Sequence, residues 1–500
     1  MSAVGSIMTN TGALQALNAI AQTSNITSSL QNQLASGLSI NSPADNPAGY
    51  ITAQGFTSQL NGLSQATSNA NQAVSLLQTA QGAIGQQIGI AQQLNSIAVQ
   101  AANGTQTPAE AQSLQTLAGQ LTSQISTISK QTQFNNINLL DGTFNGVQFQ
   151  VGANEGQTTT LTIGSTDASK IGMWHSSALA TTYKGTNGSA KDGAFGSGAV
   201  TVATTGAAFA AGSATITGAN GGTQKVASTA GESAASLASA INTLSNQGGV
   251  QAQAYTKATF KLTAGSSNQQ YSFSIQAAKG SAAGSAIGTK QTIVASSAAG
   301  VVSEINSQTS TSGITAALDK NGNLVLTQAA GQNINITGVS SGSLTQVKAD
   351  GTAVAGVTLS STNAAGVIQG QVQLQSSGAF SVSNGSAIGV KGNSGLADLA
   401  DINVSNTDGA NAAINVVKYA LAALNNAGGN LGAVQQGLTA NINNMNTSSQ
   451  NITTALGVVQ DANIPQVSTQ LTQQEIKAQS GVAALKSSTQ LQQAYLSLLP

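Results

Sequence analysis

The chain has 500 residues and a formal net charge of +0, and only 6% of its residues are charged, against about 25% in ordinary globular proteins. All fifteen cations are Lys, which argues against nucleic-acid binding, because such proteins cluster Lys and Arg to displace counterions from phosphates. The chain contains no cysteine, which excludes disulfides and thiolate metal sites.

Targeting signals are predicted to be absent. Residues 1–20 contain no Lys or Arg and no apolar run, so we expect no cleaved secretory signal peptide. No apolar stretch approaches the roughly 20 residues that span a bilayer. We therefore expect a soluble chain without membrane insertion. Separately, the length of 500 residues predicts about three or four domains.

Residues 1–129 are predicted to be helical. Apolar residues from Leu14 to Leu38 recur mostly at helical spacing, with polar Thr23 and Ser24 interrupting the pattern. Ser, Pro, Asn and Gly residues at 42–49 end this first helix. A second helix follows, whose seam advances in alternating steps of three and four through Leu60, Leu63, Thr67, Ala70, Val74, Leu77, Gln81, Ile84, Ile88, Ala91, Asn95 and Ala98.

The polar members of this seam recur regularly. Thr67, Gln81 and Asn95 are spaced fourteen residues apart. Polar seam residues fix the pairing register of coiled coils at some cost in stability. The alternative is chance in a sequence rich in Gln and Asn.

A third helix and a hairpin are predicted next. Thr107, Pro108 and Glu110 form a capping-box pattern that opens the helix. The helical half ends at Asp141-Gly142. Two alternating apolar segments around residues 152–156 then predict a β-hairpin; their apolar residues are Val147, Phe149, Val151, Leu161 and Ile163.

The centre of the chain, about 176–400, is rich in Gly, Ser, Thr and Ala, and is predicted to be β-rich. Alternating segments at 259–263, 271–275, 323–327 and 371–375 indicate strands. A repeat with a period of 64 residues relates Ile241-Asn242 to Ile305-Asn306. Each copy is predicted to form a short helix, a Gly turn and a hairpin, as surface scaffolding.

The helical spacing of apolar residues returns near residue 408. From 414 to 459 the alternating three-and-four steps meet fourteen positions, eleven of them apolar, which predicts a long helix packed along another helix. A final helix follows Pro465. The predicted fold class is α+β: a long antiparallel helical bundle or coiled coil built from both termini, with a β-rich central insertion.

Short motifs at both ends resemble those of bacterial flagellins. The resemblance covers about 1–165 and 405–500, and the Ile241-Asn242 and Ile305-Asn306 modules resemble the flagellin hook IN motif. The matching segments are 36–42 (SGLSINS), 45–49 (DNPAG), 97–104 (IAVQAANG), 131–135 (QTQFN), 139–142 (LLDG), 150–154 (QVGAN), 431–435 (LGAVQ), 443–446 (NNMN) and 496–499 (LSLL).

The resemblance implies a non-enzymatic subunit, without cofactor, that self-polymerises into the extracellular flagellar filament for swimming motility. The implied partners are other copies in a helical homopolymer, an export chaperone, the type III export apparatus, and cap and hook-associated proteins. Two alternatives are a hook-filament junction protein and a secreted adhesin that uses the β-rich centre.

Three parts are expected in such a chain. Residues 1–42 and 460–500 would form the inner core of the filament, and 43–175 and 401–459 a helical core domain with the hairpin. Residues 176–400 would form a variable surface region that carries two modules, at about 229–275 and 293–338.

We expect the terminal helices to find no partner inside the chain and to order only when subunits dock. The assembly interface is assigned to Leu17, Ile20, Leu30, Leu34, Val482, Leu485, Leu496, Leu498 and Leu499. The core helix seam is assigned to Leu60, Leu63, Leu77, Ile84, Ile88, Leu421, Leu431, Leu438 and Met445.

Some positions depart from the family pattern. Flagellins usually carry Arg after the Ser-Gly-Leu triplet, where this chain has Ser39. Family resemblance implies that a Toll-like receptor of animal hosts grips the long N-terminal helix through an Arg, and the matching position is Gln93, flanked by Gln92 and Leu94. The sequence therefore predicts a degraded receptor epitope.

The catalytic alternative is weak. His175 is the only histidine and stands beside the only tryptophan, Trp174, so it is interpreted as a packing residue at a domain junction. Asp45 and Glu110 each have a local role, in a turn and a cap, that requires no chemistry.

Overall fold

The computed structural model describes residues 10–178, 202–203, 209, 211–229, 232–265, 270–279, 286–347, 353–361 and 365–496. It divides into two units. Unit 1 comprises Met1–Leu76, Gly146–Leu161 and Ala433–Pro500, and unit 2 comprises Leu77–Asn145 and Thr162–Gly432. Long helices therefore contribute to both units, whereas the predicted three-part division, with boundaries near 42, 175, 400 and 460, stays a prediction.

The helices lie in the segments that the sequence predicts to be helical, and the last one begins at Ile464 rather than after Pro465. Within the described residues they are α1 (Thr11–Ser36), α2 (Pro47–Ala101), α3 (Pro108–Gln131), α4 (Ala234–Thr243), α5 (Ser245–Gly248), α6 (Ala298–Ser307), α7 (Thr309–Ser312), α8 (Thr407–Gln460) and α9 (Ile464–Leu496), with a 3₁₀ turn at Gly385–Ile388.

Local chemistry explains several of these ends. Asn10 caps α1, because its side chain accepts a hydrogen bond from the Ala13 N–H at 2.8 Å, and Gly37 ends the helix at a φ of 75°. The capping box of α3 is confirmed: Thr107 accepts from the Glu110 N–H, and Glu110 accepts from the Thr107 N–H at 2.7 Å. None of the helices in the described part of the chain is long and apolar enough to cross a membrane.

α2 and α8 pair antiparallel within each unit. In unit 1 the Thr67 hydroxyl lies 3.9 Å from the Met445 sulfur. In unit 2 a Cβ on Gly428 would lie 3.8 Å from Ile84 Cγ2.

The predicted hairpin is confirmed in unit 1. Its strands are β3 (Val147–Gln150) and β4 (Thr158–Leu161), and the loop between them packs on α2. Asn69 donates from Nδ2 to the Gln150 carbonyl at 3.2 Å, and a Cβ on Gly62 would lie 3.0 Å from the Cβ of Ala153. The hairpin is thus held by an amide hydrogen bond and by a close helix surface.

A buried amide joins α2 and α3 in unit 2. Gln87 is fully buried, and its Nε2 donates to the Ile125 carbonyl at 3.0 Å and to the Thr166 carbonyl at 3.4 Å. Ser129 is also fully buried and donates to the Leu140 carbonyl at 2.6 Å. Neutral polar groups therefore tie the helices to the loops beside them.

The central region forms two antiparallel sheets in unit 2. One sheet has the order β12-β13-β9-β18-β5-β20-β19-β7-β8, with β15 and β16 beside β9, and the other has the order β11-β10-β14-β17-β6. The described strands of the chain are β1 (Gln133–Phe134), β2 (Ile137–Asn138), β3 (Val147–Gln150), β4 (Thr158–Leu161), β5 (Gly172–Ala178), β6 (Val202–Ala203), β7 (Gly212–Thr217), β8 (Thr223–Ser228), β9 (Gln251–Thr263), β10 (Tyr271–Ala278), β11 (Ala286–Ala295), β12 (Ile314–Leu318), β13 (Leu324–Gln328), β14 (Asn333–Ser341), β15 (Ser343–Val347), β16 (Ala353–Leu359), β17 (Gly366–Ile368), β18 (Gln371–Ser376), β19 (Ser381–Ser383) and β20 (Val390–Asp398).

The repeated Ile-Asn pair has a clear structural role. Ile241 and Ile305 are fully buried. Asn242 donates to the Ala252 carbonyl at 2.9 Å and accepts from the Ala252 N–H at 2.7 Å, and Asn306 makes the same two bonds with Ala316, both at 2.8 Å. Each asparagine therefore clamps its helix onto the strand that follows.

The two copies differ after this clamp. In the second copy β12 and β13 form the predicted hairpin. In the first copy the hairpin prediction is wrong, because β9 continues as one 13-residue strand that pairs with β13, β15 and β18. The next strand, β10, joins the other sheet instead.

The chain enters and leaves the central region through paired strands. Gly172 of β5 lies opposite Asp398 of β20, and the Leu399 N–H donates to the carbonyl oxygens of Ile171 and Ala168 at 2.9 and 3.0 Å. On the same sheet Gln251 accepts a hydrogen bond from the Tyr419 hydroxyl of α8 at 3.1 Å. We call the paired ends at Gly172 and Asp398 the neck.

Joining the chain at the neck is expected to preserve the helical part. Replacing residues 173–397 by an Asn-Gly turn keeps Gly172 opposite Asp398, and we expect helical circular dichroism and polymerisation to persist. The control deletion, 180–398, keeps β5 but removes its partner β20, and should be less stable because it exposes an unpaired strand. A neck-joined protein that unfolds would show that the centre belongs to the helical core.

Candidate assembly interface

α1 and α9 form an antiparallel pair in unit 1. Asn10 and Ser488 exchange hydrogen bonds, and the Ala462 N–H donates to the Gly37 carbonyl at 2.9 Å. The side chains on the facing sides are buried or half-buried and advance in steps of three and four. They are Ala13, Ala16, Ile20, Thr23, Thr27 and Leu30 on α1, and Val467, Leu471, Gln474, Ala478, Gly481, Leu485 and Ser488 on α9.

This pairing corrects the expectation that the terminal helices have no partner inside the chain. A Cβ on Gly481 would lie 2.9 Å from Ile20 Cγ1, so the helices approach closely at that point. Ile20, Leu30 and Leu485 therefore belong to an internal seam rather than to an outward surface. The reason is that small and polar residues, which the sequence pattern discounts, allow two short helices to pack side by side.

Other predicted interface residues do face outward. Leu17 is 49% exposed, Leu34 38% and Val482 55%. The side chain of Leu496, and residues Leu498 and Leu499, lie outside the described residues. Sequence reasoning missed further exposed apolar side chains, whose signal is that they fall off the three-and-four seam: Leu14, Ile26, Ile464, Ile476 and Leu491.

The outward apolar residues do not share one stripe. Leu17 and Ile26 are nine positions apart, which at about 100° per residue places them on opposite sides of α1. Val482 and Leu491 have the same spacing on α9. A helix that is apolar on several sides is typically surrounded by other protein, so these helices suit burial among several neighbours.

The assigned core seam lies between α2 and α8. The structure buries Leu63, Leu77, Ile84, Leu431, Leu438 and Met445, and half-buries Leu60, Ile88 and Leu421. The buried seam positions on each helix recur every seven residues. Polar Thr67 faces Met445, which is the kind of contact that a register-setting role requires.

Carboxylates in the helical part serve as local caps. The pKa of the Asp45 carboxyl lies below its usual value, because it accepts hydrogen bonds from the Ser42 and Asn41 N–H groups and the Ser42 hydroxyl. Thr107 lowers the pKa of Glu110 in the same way. Burial alone would raise the pKa of Asp167, but hydrogen bonds from Ser169 and the Lys130 ammonium at 3.4 Å hold it below normal.

His175 lies on β5, opposite Gln375 and Gly395. Burial lowers the pKa of its imidazole, which favours the neutral form, and Trp174 beside it packs on an apolar core of the centre. Among the residues that the structure describes, no group of three His, Cys, Asp or Glu side chains could hold a metal ion.

Both helical ends of the chain match parts of known proteins. Residues 7–145 match the bacterial flagellin N-terminal helical region, and residues 414–499 match the bacterial flagellin C-terminal helical region. The chain is 32% identical over 501 residues to the B-type flagellin of Pseudomonas aeruginosa, with 96% of each chain covered. The chain belongs to the bacterial flagellin family.

Two further proteins are similar to this chain. Flagellin B of Helicobacter pylori strain J99 is 29% identical over 99% of both chains. The solved FliC structure from Burkholderia pseudomallei is 16% identical, with a TM-score of 0.30, and covers 73% of this chain and 99% of that one. As a flagellin, the chain is a structural subunit of the bacterial flagellar filament.

The predicted receptor epitope of this flagellin is only partly on the surface. Gln92 and Gln93 are exposed on α2, but Leu94 is fully buried. Successive side chains of an α-helix point about 100° apart. Leu94 therefore lies on the packed side of α2, although Gln92 and Gln93 lie on its exposed side. A receptor that approaches this surface could touch Gln92 and Gln93 but not Leu94.

The capping carboxylates define an expected pH response. Their pKa values are lower in the folded chain than in the unfolded one, so their contribution is complete above the unfolded values, about 3.9–4.3, and is lost as pH falls through the folded values. We expect helical circular dichroism to stay constant from about pH 7 to about pH 5, and to fall only below about pH 4.

Asp45→Asn and Glu110→Gln remove the titrating groups and should flatten this acid transition, whereas Glu155→Gln, on an exposed loop, should not. A transition centred well above pH 5 in the unaltered protein would contradict the assignment.

Proposed function

We propose that this flagellin polymerises through the outward apolar side chains of α1 and α9. The supporting observation is that these side chains lie on opposite sides of both helices while the facing seam is already filled. A monomer therefore leaves Leu17, Ile26, Val482 and Leu491 in water, and neighbouring subunits would cover them.

The energetics favour packing over charge. The described part of α1 contains no charged residue, so its association meets no ionic repulsion. Fully burying a Leu, Ile or Val side chain contributes about 1.5–3 kcal/mol. Because α1 and α9 already pair within the chain, contacts from several neighbours would add this energy to a helix pair that has already formed.

Further partners follow from the family. We propose that the export chaperone and the type III export apparatus handle the chain before assembly, and that cap and hook-associated proteins contact its apolar terminal helices. The exposed apolar residues of α9 support this, because a chaperone that covers them would prevent premature polymerisation.

Charged substitutions on the outward surface are expected to block polymerisation. Leu17→Asp and Val482→Asp should each leave a folded monomer, because both side chains are about half exposed. Loss of an apolar contact worth ~1.5–3 kcal/mol raises the critical concentration about ten- to hundredfold. Negative-stain microscopy and sedimentation measure the outcome.

Asn18→Asp and Ala483→Asp are the matched controls, since they place the same charge on adjacent exposed residues of the same helices. Normal filaments from both apolar-to-Asp variants would overturn the proposed interface. Equal loss in all four variants would assign the effect to charge rather than to apolar contact.

We also propose that the monomer activates an animal Toll-like receptor weakly. Gln93 offers two donors and no charge, where the family usually offers the five donors and permanent charge of Arg. Loss of a charge-assisted hydrogen bond costs ~1.5–3 kcal/mol, or about ten- to hundredfold in affinity. A receptor reporter assay measures the effect.

Gln93→Arg should raise activation if the remaining epitope is intact, whereas Gln54→Arg, at an exposed position far along α2, should not. The proposal fails if the unaltered monomer matches an Arg-containing flagellin in the same assay.

A further inference from the structure

Charge is unevenly distributed along this nominally neutral chain. Residues 172–398 contain ten of the fifteen Lys but only six of the fifteen acidic residues. The helical parts on either side consequently carry the excess of acidic residues. A region with an excess of cations attracts partners of opposite charge.

The structure exposes the cations of the centre. Each of the described lysines there, Lys225, Lys257, Lys261, Lys279, Lys290 and Lys320, is exposed. Of these six described lysines, only Lys257 has a described carboxylate within 4.0 Å, that of Asp408 at 3.9 Å, and Lys320 interacts at longer range with its neighbour Asp319. The ammonium groups are therefore largely available to solvent.

The carboxylates of the centre are used differently. Glu232, Glu304, Asp319 and Asp398 are all partly buried. Each accepts a hydrogen bond from backbone N–H groups: Glu232 from Thr229 at 3.0 Å, Glu304 from Val294 at 3.0 Å, Asp319 from Asn321 and Asn323 at 2.8 Å, and Asp398 from Asp401 at 3.0 Å. These backbone hydrogen bonds hold the carboxylates in turns and at a sheet edge.

We infer that the central region, through its excess of exposed lysines, binds acidic polysaccharides. Lysine ammonium groups act as point charges that need no fixed geometry, and this suits the scattered carboxylates of a flexible polyuronate chain. Binding arises from many weak contacts, so it depends on the number of exposed lysines rather than on a pocket.

Two other classes of anionic partner fit less well. Nucleic-acid surfaces use Arg and stacking aromatic rings, and this chain has no Arg and only 3% aromatic residues. Peripheral membrane binding needs an apolar face beside the charges, whereas the large exposed apolar side chains in the described centre are Val294 and Leu318 alone. A surface that binds an extracellular polyuronate requires neither Arg with stacking aromatic rings nor an apolar face beside the charges.

Polymerisation would strengthen binding to the polysaccharide, because linked copies bind a long polyanion with higher avidity than one copy. The charge distribution belongs to the single chain, however, so the inference stands independently of the proposed assembly interface. A test on the monomer separates the two.

The test measures retention of the full-length monomer on immobilised alginate, with neutral dextran and duplex DNA as parallel matrices. The test variant changes Lys225, Lys261, Lys279 and Lys290 to Gln. The control variant changes Lys130, Lys170, Lys477 and Lys486 to Gln, so both variants have the same net charge. Circular dichroism verifies that each is folded.

We expect the unaltered chain to bind alginate at about 0.05 M NaCl and to elute by about 0.5 M, because salt screens such contacts. The test variant should lose roughly tenfold in affinity and the control variant less than about threefold. The inference is overturned by no binding of the unaltered chain, by equal losses in both variants, by equal retention on dextran, or by stronger binding to DNA than to alginate.

Discussion

The antiparallel seam between α2 and α8 is the interaction on which the rest of the structure depends. It brings together residues near both ends of the chain: Thr67 with Met445 in one unit and Ile84 with Gly428 in the other. A seven-residue repeat keeps the apolar side chains of one helix facing the partner helix. Since each buried Leu contributes about 1.5–3 kcal/mol, the seam can hold helices that contain very few ion pairs.

The small number of charged residues determines which groups join the helices, strands and loops to one another. Amide and hydroxyl groups take the places where many proteins use ion pairs: Gln87 joins α2 to α3, and Asn242 and Asn306 clamp the repeated helices. The few carboxylates cap backbone groups, as Asp45 and Glu110 do. Neutral hydrogen bonds are not screened by salt, so the stability of the fold should depend weakly on ionic strength.

Periodic and local features could be predicted from the sequence. The seam positions of α2 and α8, the Thr107 capping box and the hairpin of β3 and β4 each follow from spacing or from adjacent residues. The flagellin motifs at both ends supplied the family. These patterns are informative because the contacts that produce them join residues within one helix turn or one pair of adjacent strands.

Non-local pairing could not be predicted in the same way. α1 and α9 meet through Thr23, Thr27 and Gly481, which do not form an apolar stripe, so the sequence places Ile20 and Leu485 in the assembly interface and predicts no partner for them inside the chain. The length of β9 depends on partners elsewhere in the chain, which its own alternation does not specify. Leu94 was assigned to a surface by its neighbours in sequence, although a helix turns its side chains in different directions.

The most direct test of the central claim is disulfide cross-linking between α2 and α8. The chain contains no cysteine, so Ile84→Cys with Gly428→Cys creates the only possible intramolecular disulfide. Because a Cβ at 428 would lie 3.8 Å from Ile84 Cγ2, mild oxidation of the monomer should form this bond rapidly, seen as a mobility shift on a non-reducing gel. Ile84→Cys with Gly432→Cys, one helical turn out of register, should form it poorly. Equal cross-linking of both pairs, or none at Ile84 and Gly428, would contradict the seam.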